Sequence, residues 1–183
     1  MAFRAFIAVE VPFSSELEKF SSSVKGSGAS VKLVDLANVH ITLKFLGDIP
    51  EEKVPAIEEA MKNAVSGIKP FTMRMKGAGA FPNLSRISVI WAGLEGADRL
   101  TVIAEQLEKN LKHMDFEPEK RKFSPHVTVA RTRHSLNLKE LAEVIKDWEL
   151  GDFGEILVDK IILKKSVLRP EGPVYSDVSI VPL

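Results

Sequence analysis

Apolar positions recur along the chain with two periods, one near two residues and one near 3.6. In "NVHITLKFLG", Asn38 to Gly47, the residues Val39, Ile41, Leu43 and Phe45 alternate with His40, Thr42 and Lys44. That pattern predicts a half-buried strand with an imidazole, a hydroxyl and an amine on its polar face. "FRAFIAV" (Phe3 to Val9) is strand-like too. "SSELEKFSSSV" (Ser14 to Val24), "EEKVPAIEEAMKNAV" (Glu51 to Val65), "LTVIAEQLEKN" (Leu100 to Asn110) and "NLKELAEVIKDWELG" (Asn137 to Gly151) have helical periodicity. Their expected caps are Ser14 or Ser15, Asp98, and Asn137 with Glu140 three residues on. The turn-rich "FPNLSR" (Phe81 to Arg86) and "LRPEGP" (Leu168 to Pro173) predict two hairpins.

A second stretch, "SPHVTVAR", Ser124 to Arg131, repeats the first pattern, with His126 and Thr128 between Val127 and Val129. The two histidines are 126 − 40 = 86 positions apart. The same offset, applied without gaps, lays "FRAFIAV" on "VIWAGLE" (Val89 to Glu95) and "FTMRMKG" (Phe71 to Gly77) on "LVDKIIL" (Leu157 to Leu163). It also lays the first and second helical stretches on the third and fourth. The chain therefore reads as one domain, 1–183, made of two copies of one unit. Mixed strands and helices with hairpins predict an α+β fold rather than a doubly wound parallel sheet. A pseudo-twofold relation would set two antiparallel-rich sheets face to face across a central cleft, helices outside, with one His-x-Thr strand on each side.

Composition narrows the chemistry. Twenty-five basic and 25 acidic residues cancel, so any anionic ligand must be met by a local cluster rather than by the whole molecule. With no cysteine there is no disulfide, thiolate metal site or cysteine nucleophile. No apolar run approaches the roughly 18 residues that span a bilayer. The N-terminal "MAFRAFIAVEVP" is strand-like and does not resemble a signal peptide, so a cytoplasmic protein without a membrane partner is expected.

A single histidine on a strand is ordinarily a surface residue or a satisfied core residue. Two His-x-Thr pairs at equivalent places in a repeat ask for a common purpose, and a phosphodiester suits the group types. One neutral imidazole can take a proton from an attacking water while the other, protonated, gives one to the departing oxygen. The threonines project on the same side about 6 to 7 Å further along the strand and can donate to non-bridging phosphoryl oxygens. His113 and His134 lack this context. There is no His-Glu-x-x-His for zinc and no Gly-x-Ser-x-Gly for a serine hydrolase. "KGSGAS" (Lys25 to Ser30) lacks Walker spacing and reads as a loop between helix and strand. These residues alone do not say which histidine is acid and which is base.

"NVHITLKFLG" and "FSPHVTVAR" resemble the paired His-x-Thr-x motifs of the 2H phosphoesterase superfamily, and most closely its RNA 2′,3′-cyclic phosphodiesterase branch, also called 2′-5′ RNA ligases. "RAFIAVEVP" near the N-terminus and "KSVLRPEGPVYSDV" near the C-terminus extend the likeness over nearly the whole chain. The resemblance implies a bilobal, duplicated fold with its site in the central cleft. It implies metal-independent hydrolysis of 2′,3′-cyclic phosphates at RNA 3′ ends to 2′-phosphates, with no cofactor. His40 then matches the proton donor, His126 the proton acceptor, and Thr42 and Thr128 the phosphate-binding threonines. Joining or cleaving 2′-5′ linkages in tRNA halves, and nucleotide binding, are implied as well.

Five further residues are candidates for substrate contact. Lys44 continues the His40 face by parity. Arg131 closes the second motif, although parity turns it away from His126 unless the strand bulges. Phe45 and Phe123 flank the motifs, where either stacking on a base or core packing would employ them. Tyr175, in "GPVY", could line the mouth of the cleft. Lys120, Arg121, Lys122, Arg131 and Arg133 form the densest basic cluster, a footprint for RNA backbone or simply solvated surface. The expected protein is a monomeric enzyme. The alternatives are a phosphodiesterase for small cyclic nucleotides and a module that binds an RNA end or nucleotide without turning it over.

Overall fold

The computed structural model describes every residue except 115, 120 and 171. Among the described residues, nine strands and four α-helices follow the chain in the order β1 (Ala2–Glu10), α1 (Ser15–Gly26), β2 (Val31–Leu33), β3 (His40–Pro50), α2 (Val54–Val65), β4 (Phe71–Asn83), β5 (Arg86–Glu95), α3 (Asp98–Leu111), β6 (Val127–Thr132), α4 (Leu138–Asp147), β7 (Asp152–Val158), β8 (Lys160–Arg169) and β9 (Gly172–Pro182). They form two sheets, one ordered β3-β1-β8-β9 and the other β2-β6-β5-β4-β7. Every pairing is antiparallel, and the architecture is α+β as the periodicities imply.

The helices cover one face of each sheet. α1 buries Leu17, Phe20, Ser21 and Val24, the i, i+3, i+4, i+7 stripe of its sequence. Ser14 caps it, accepting from the Leu17 amide at 3.2 Å, and its hydroxyl donates to the Phe153 carbonyl at 2.6 Å. Phe20 then meets Trp148 and Phe153 at 5.6 and 5.5 Å between ring centroids, which seats α1 beside α4 on the β6-containing sheet. α2 and α3 pack on each other and on the β3-containing sheet, with the Asn110 amide donating to the Ala60 carbonyl. The two expected caps other than Ser14 differ. Ala97 rather than Asp98 occupies the cap position of α3. Asn137 does sit at the start of α4, but its amide reaches back to the Gly28 carbonyl at 3.1 Å and its backbone is left-handed, φ 51°.

The offset of 86 holds for the two His-x-Thr strands and fails in the strands beside them. Thr42 of β3 lies opposite Ala8 of β1, and Thr128 of β6 lies opposite Trp91 of β5. Ala8 therefore corresponds to Trp91, an offset of 91 − 8 = 83. β4 and β8 follow the same shift: Gly79 lies opposite Trp91 and Ile162 opposite Ala8, and 162 − 79 = 83. The ungapped alignment of strands β1 and β4 is thus out of register by three. Sheet pairing sets which residues face each other, and it is not visible in a one-dimensional offset.

Candidate active site

β1 supplies the floor of one side of the cleft. Ala5, Ile7 and Val9 enter the main core, whereas Arg4, Phe6, Ala8 and Glu10 share the opposite face. Phe6 and Ala8 are buried there as well, and rings from other strands close over Phe6. The His40 ring lies 4.8 Å from that of Phe6 and meets Tyr175 edge-on at 5.3 Å, and Tyr175 also contacts Phe6 at 5.0 Å. On the other side His126 sits edge-on to Phe81 at 4.9 Å, and Phe81 in turn rests on Trp91 at 5.3 Å. Trp91 lies flat across Gly79, where an added Cβ would come within 2.3 Å of the indole. Glycine is needed there for close approach, not for its dihedral freedom.

The two histidines are held in the same way. His40 Nδ1 lies 2.7 Å from the Asn38 carbonyl, and His126 Nδ1 lies 2.7 Å from the Ser124 carbonyl, two residues back in each case. A carbonyl only accepts, so each neutral ring carries its proton on Nδ1 and leaves Nε2 as the free base. Burial holds both imidazoles below their ordinary range. The charge of Lys164 and a protonated His126 add to this at His40, and Arg131 adds to it at His126. Strands β3 and β6 are in contact, which brings the two motifs together, and the charge of His126 bears on His40. Thr42 and Thr128 are both half-buried beside them.

A bulge at the equivalent place in each strand decides the next residues. Ala8 pairs with Thr42 and Ile7 with Lys44, so Leu43 is the extra residue in β3. Trp91 pairs with Thr128 and Ile90 with Ala130, so Val129 is the extra residue in β6. The two bulges are 129 − 43 = 86 positions apart, the offset of the histidines. An extra residue reverses parity, and Lys44 accordingly leaves the face of His40. It is 2 % exposed, pairs with Glu108 of α3 at 2.7 Å and donates to the Glu117 carbonyl at 2.7 Å. The expectation that Lys44 reaches the substrate is corrected: it ties β3 to α3 and to the segment after it.

The same reversal brings Phe45 out onto the cleft face. Its ring is 57 % exposed and 6.3 Å from Phe6. Arg131 is turned by the equivalent bulge, and its charge is felt both by His126 and by the Tyr175 phenol of the other sheet. Burial pushes that phenol up, while Arg131 and Arg4 hold it down. Phe123, by contrast, packs against the core. Of the basic cluster, Arg121 and Lys122 are exposed in the segment before β6, Arg133 is exposed after it, and Lys120 lies outside the described residues. Arg121 lines a groove of about 500 Å³ that starts at Phe45 and includes Lys53 and Phe116. His113 and His134 are exposed and lie outside the motif strands. Among the described residues no three histidine, aspartate or glutamate side chains gather as a metal site, and no helix is long and apolar enough to cross a membrane.

Sequence reasoning missed Phe6, Phe81 and Lys164. Lys164 is nearly buried in the row of Phe6, donating to Glu10 at 2.9 Å and to Asp177 at 2.6 Å. Phe6 is legible as an aromatic between Arg4 and Glu10 on the polar face of β1. The other two are brought in from distant strands by pairing alone.

The profile of the LigT-like phosphoesterases matches residues 7–91 and 94–175. The chain is similar to a protein of Methanothermobacter thermautotrophicus named RNA 2′,3′-cyclic phosphodiesterase, at 35 % identity over 98 % of both chains. It is similar to a protein of the same name from Methanocaldococcus jannaschii, at 37 % identity over 94 % of this chain and 96 % of the other. Among crystal structures, a Thermus thermophilus protein superposes with a TM-score of 0.72 and 28 % identity, covering 98 % of this chain and 97 % of that one. Escherichia coli LigT complexed with 3′-AMP has the same fold, with a TM-score of 0.72 and 20 % identity over 100 % and 99 %. Matched over nearly its whole length by the family profile and by these relatives, the chain belongs to the LigT-like phosphoesterase family.

Proposed function

We propose that the protein hydrolyses the 2′,3′-cyclic phosphate at the 3′ end of RNA to a 2′-phosphate, with His40 and His126 moving the protons. The observation that carries this reading is the matched pair of Nδ1–carbonyl bonds, which leaves two Nε2 atoms as the working nitrogens of one cleft. Relatives named RNA 2′,3′-cyclic phosphodiesterase supply the substrate class.

Water attacks the phosphorus and gives its proton to the Nε2 of neutral His126. The bond from phosphorus to O3′ breaks, and the Nε2–H of protonated His40 delivers a proton to O3′. The product carries a 3′-hydroxyl and a 2′-phosphate, and the two histidines have exchanged protonation states. The division of roles follows the family resemblance. Thr42 and Thr128 donate to the non-bridging oxygens, where charge accumulates. Phe45 and Arg131 offer a ring face and a planar cation to the terminal nucleobase, and Tyr175 walls the His40 side. An RNA 5′-hydroxyl in place of water would give a 2′-5′ linkage by the same proton transfers, the ligation of tRNA halves that the resemblance implies. A monomeric, cytoplasmic enzyme is the form this proposal takes.

The test is turnover of an oligonucleotide ending in a 2′,3′-cyclic phosphate, by the parent chain and by folded His40→Ala and His126→Ala variants. Loss in both variants supports the proposal. Parental rates in either would overturn it.

A further inference from the structure

We infer that Arg4 binds a second phosphate, the one on the 5′ side of the nucleotide whose cyclic phosphate reacts, so that the preferred substrate is a chain end rather than a lone nucleoside. This rests on the function proposed above. Arg4 shares the cleft face of β1 with Phe6 and Ala8, since the β1–β8 pairing runs without irregularity through all three. Its row continues through Ser166 of β8 to Tyr175 of β9, the residue that lies against His40.

The side chain is available. Arg4 is exposed, and among the described residues it makes no ion pair, although Asp48 is its partner across to β3. Its charge is instead felt at the Tyr175 phenol, where the charge of Arg131 arrives from the opposite sheet. The charges of two guanidiniums thus bear on one tyrosine, whose ring lies against His40. By contrast Lys164, in the next row toward His40, is occupied by two carboxylates.

Position fixes which phosphate Arg4 can serve. Ala8 marks the row of Thr42, and Arg4 is four residues along β1, about 13 Å at about 3.3 Å per residue. Directed toward that row, an extended arginine side chain covers about half of that. Its guanidinium therefore falls roughly one nucleotide's reach from a phosphate held at Thr42 and Thr128. A planar fork at that distance suits a phosphodiester or terminal phosphate oxygen pair.

The experiment compares two substrates that differ only there, uridine 2′,3′-cyclic phosphate with a 5′-hydroxyl and the same nucleotide carrying a 5′-phosphate. The parent chain is expected to favour the 5′-phosphorylated form in kcat/KM by at least about tenfold, the scale of a charge-assisted contact. Arg4→Gln should bring that ratio toward one, and Arg4→Lys should keep part of it. The salt dependence of log KM for the phosphorylated form should flatten by about 0.7 in Arg4→Gln, the share of one phosphate contact on a single strand. A parental ratio near one, or a ratio unchanged in Arg4→Gln, overturns the inference.

Calorimetric binding of uridine 2′,5′-bisphosphate against uridine 2′-phosphate separates this from the activity itself. If neither substrate is turned over, a bisphosphate preference lost in Arg4→Gln keeps the subsite and removes the proposed reaction. Equal affinities in the parent chain remove the subsite.

Discussion

Phe45 and Arg131 stand five residues after His40 and His126, and a one-residue bulge in each strand turns both onto the cleft face. The bulged residues Leu43 and Val129 stay in the core, and the Val129 carbonyl is satisfied by the Val34 amide at 2.8 Å. Each strand thereby presents three residues to the cleft, an imidazole, a hydroxyl and a planar side chain, where strict alternation would present the residues at 44 and 130. If Phe45 and Arg131 hold the nucleobase, Phe45→Ala and Arg131→Gln should each raise KM for a cyclic-phosphate oligonucleotide by about tenfold, with kcat changed less. Arg131→Lys should fall between, because a point charge stacks less well than a planar guanidinium. Steady-state kinetics check this, and an unchanged KM in Arg131→Gln would remove that residue from the site.

The carbonyls of Asn38 and Ser124 make a statement about tautomers. Long-range nitrogen–proton NMR correlation at alkaline pH should show His40 and His126 both protonated on Nδ1. The exposed His113 and His134 serve as internal references. His126 found as the Nε2–H form would take away the free base that the proposed water activation requires, and His40 found so would contradict its Nδ1–carbonyl bond.

Burial lowers both pKa values, and the sign of the pH dependence follows. The proposed proton transfers need one imidazolium and one imidazole, while the lowered values favour the neutral form of both rings in the free protein at pH 7. The optimum of kcat/KM should therefore lie below about pH 6.5, with a fall of about tenfold per pH unit on the alkaline side. For stability, the folded state binds these protons more weakly than the unfolded chain. Their contribution is full above about pH 6.5 and is lost as pH falls through the lowered folded values. Thermal melts of the parent chain and the double alanine variant should converge toward acid pH.

Lys44 is a structural residue. Removing its buried amine with Lys44→Ala leaves the Glu117 carbonyl without its partner and Glu108 without its cation, though Glu108 keeps the Glu119 amide. Because Glu108 is about one-third exposed, the cost should be about 2–4 kcal/mol in urea unfolding, somewhat below that of breaking a fully buried pair. The folded variant should keep a KM close to that of the parent chain. A large rise in KM without loss of stability would return Lys44 to the cleft.

Lys44 also shows what the chain alone can reveal. The identity of the motif strands, the Ser14 cap, the two hairpin turns and the α+β class rest on local periodicity and turn chemistry, and local sequence carries those. The bulges at Leu43 and Val129 depend on how β1 and β5 pair, so parity puts Lys44 on the wrong face and leaves Arg131 in doubt. The three-residue slip of β1 and β4 against the offset of 86 has the same origin. The rings around His40 come from Phe6 and Tyr175, far away in the chain, and only sheet order brings them together. Aromatic spacing along one strand holds no record of that.

The measurement closest to the central claim is kcat/KM against pH on an oligonucleotide ending in a 2′,3′-cyclic phosphate, for the parent chain, His40→Ala and His126→Ala. The parent chain should give a bell. Both variants should fall by about 10²- to 10⁴-fold, His40→Ala losing the alkaline limb and His126→Ala the acid limb. A variant that keeps both limbs and the parental rate would contradict a mechanism in which these two imidazoles carry the protons.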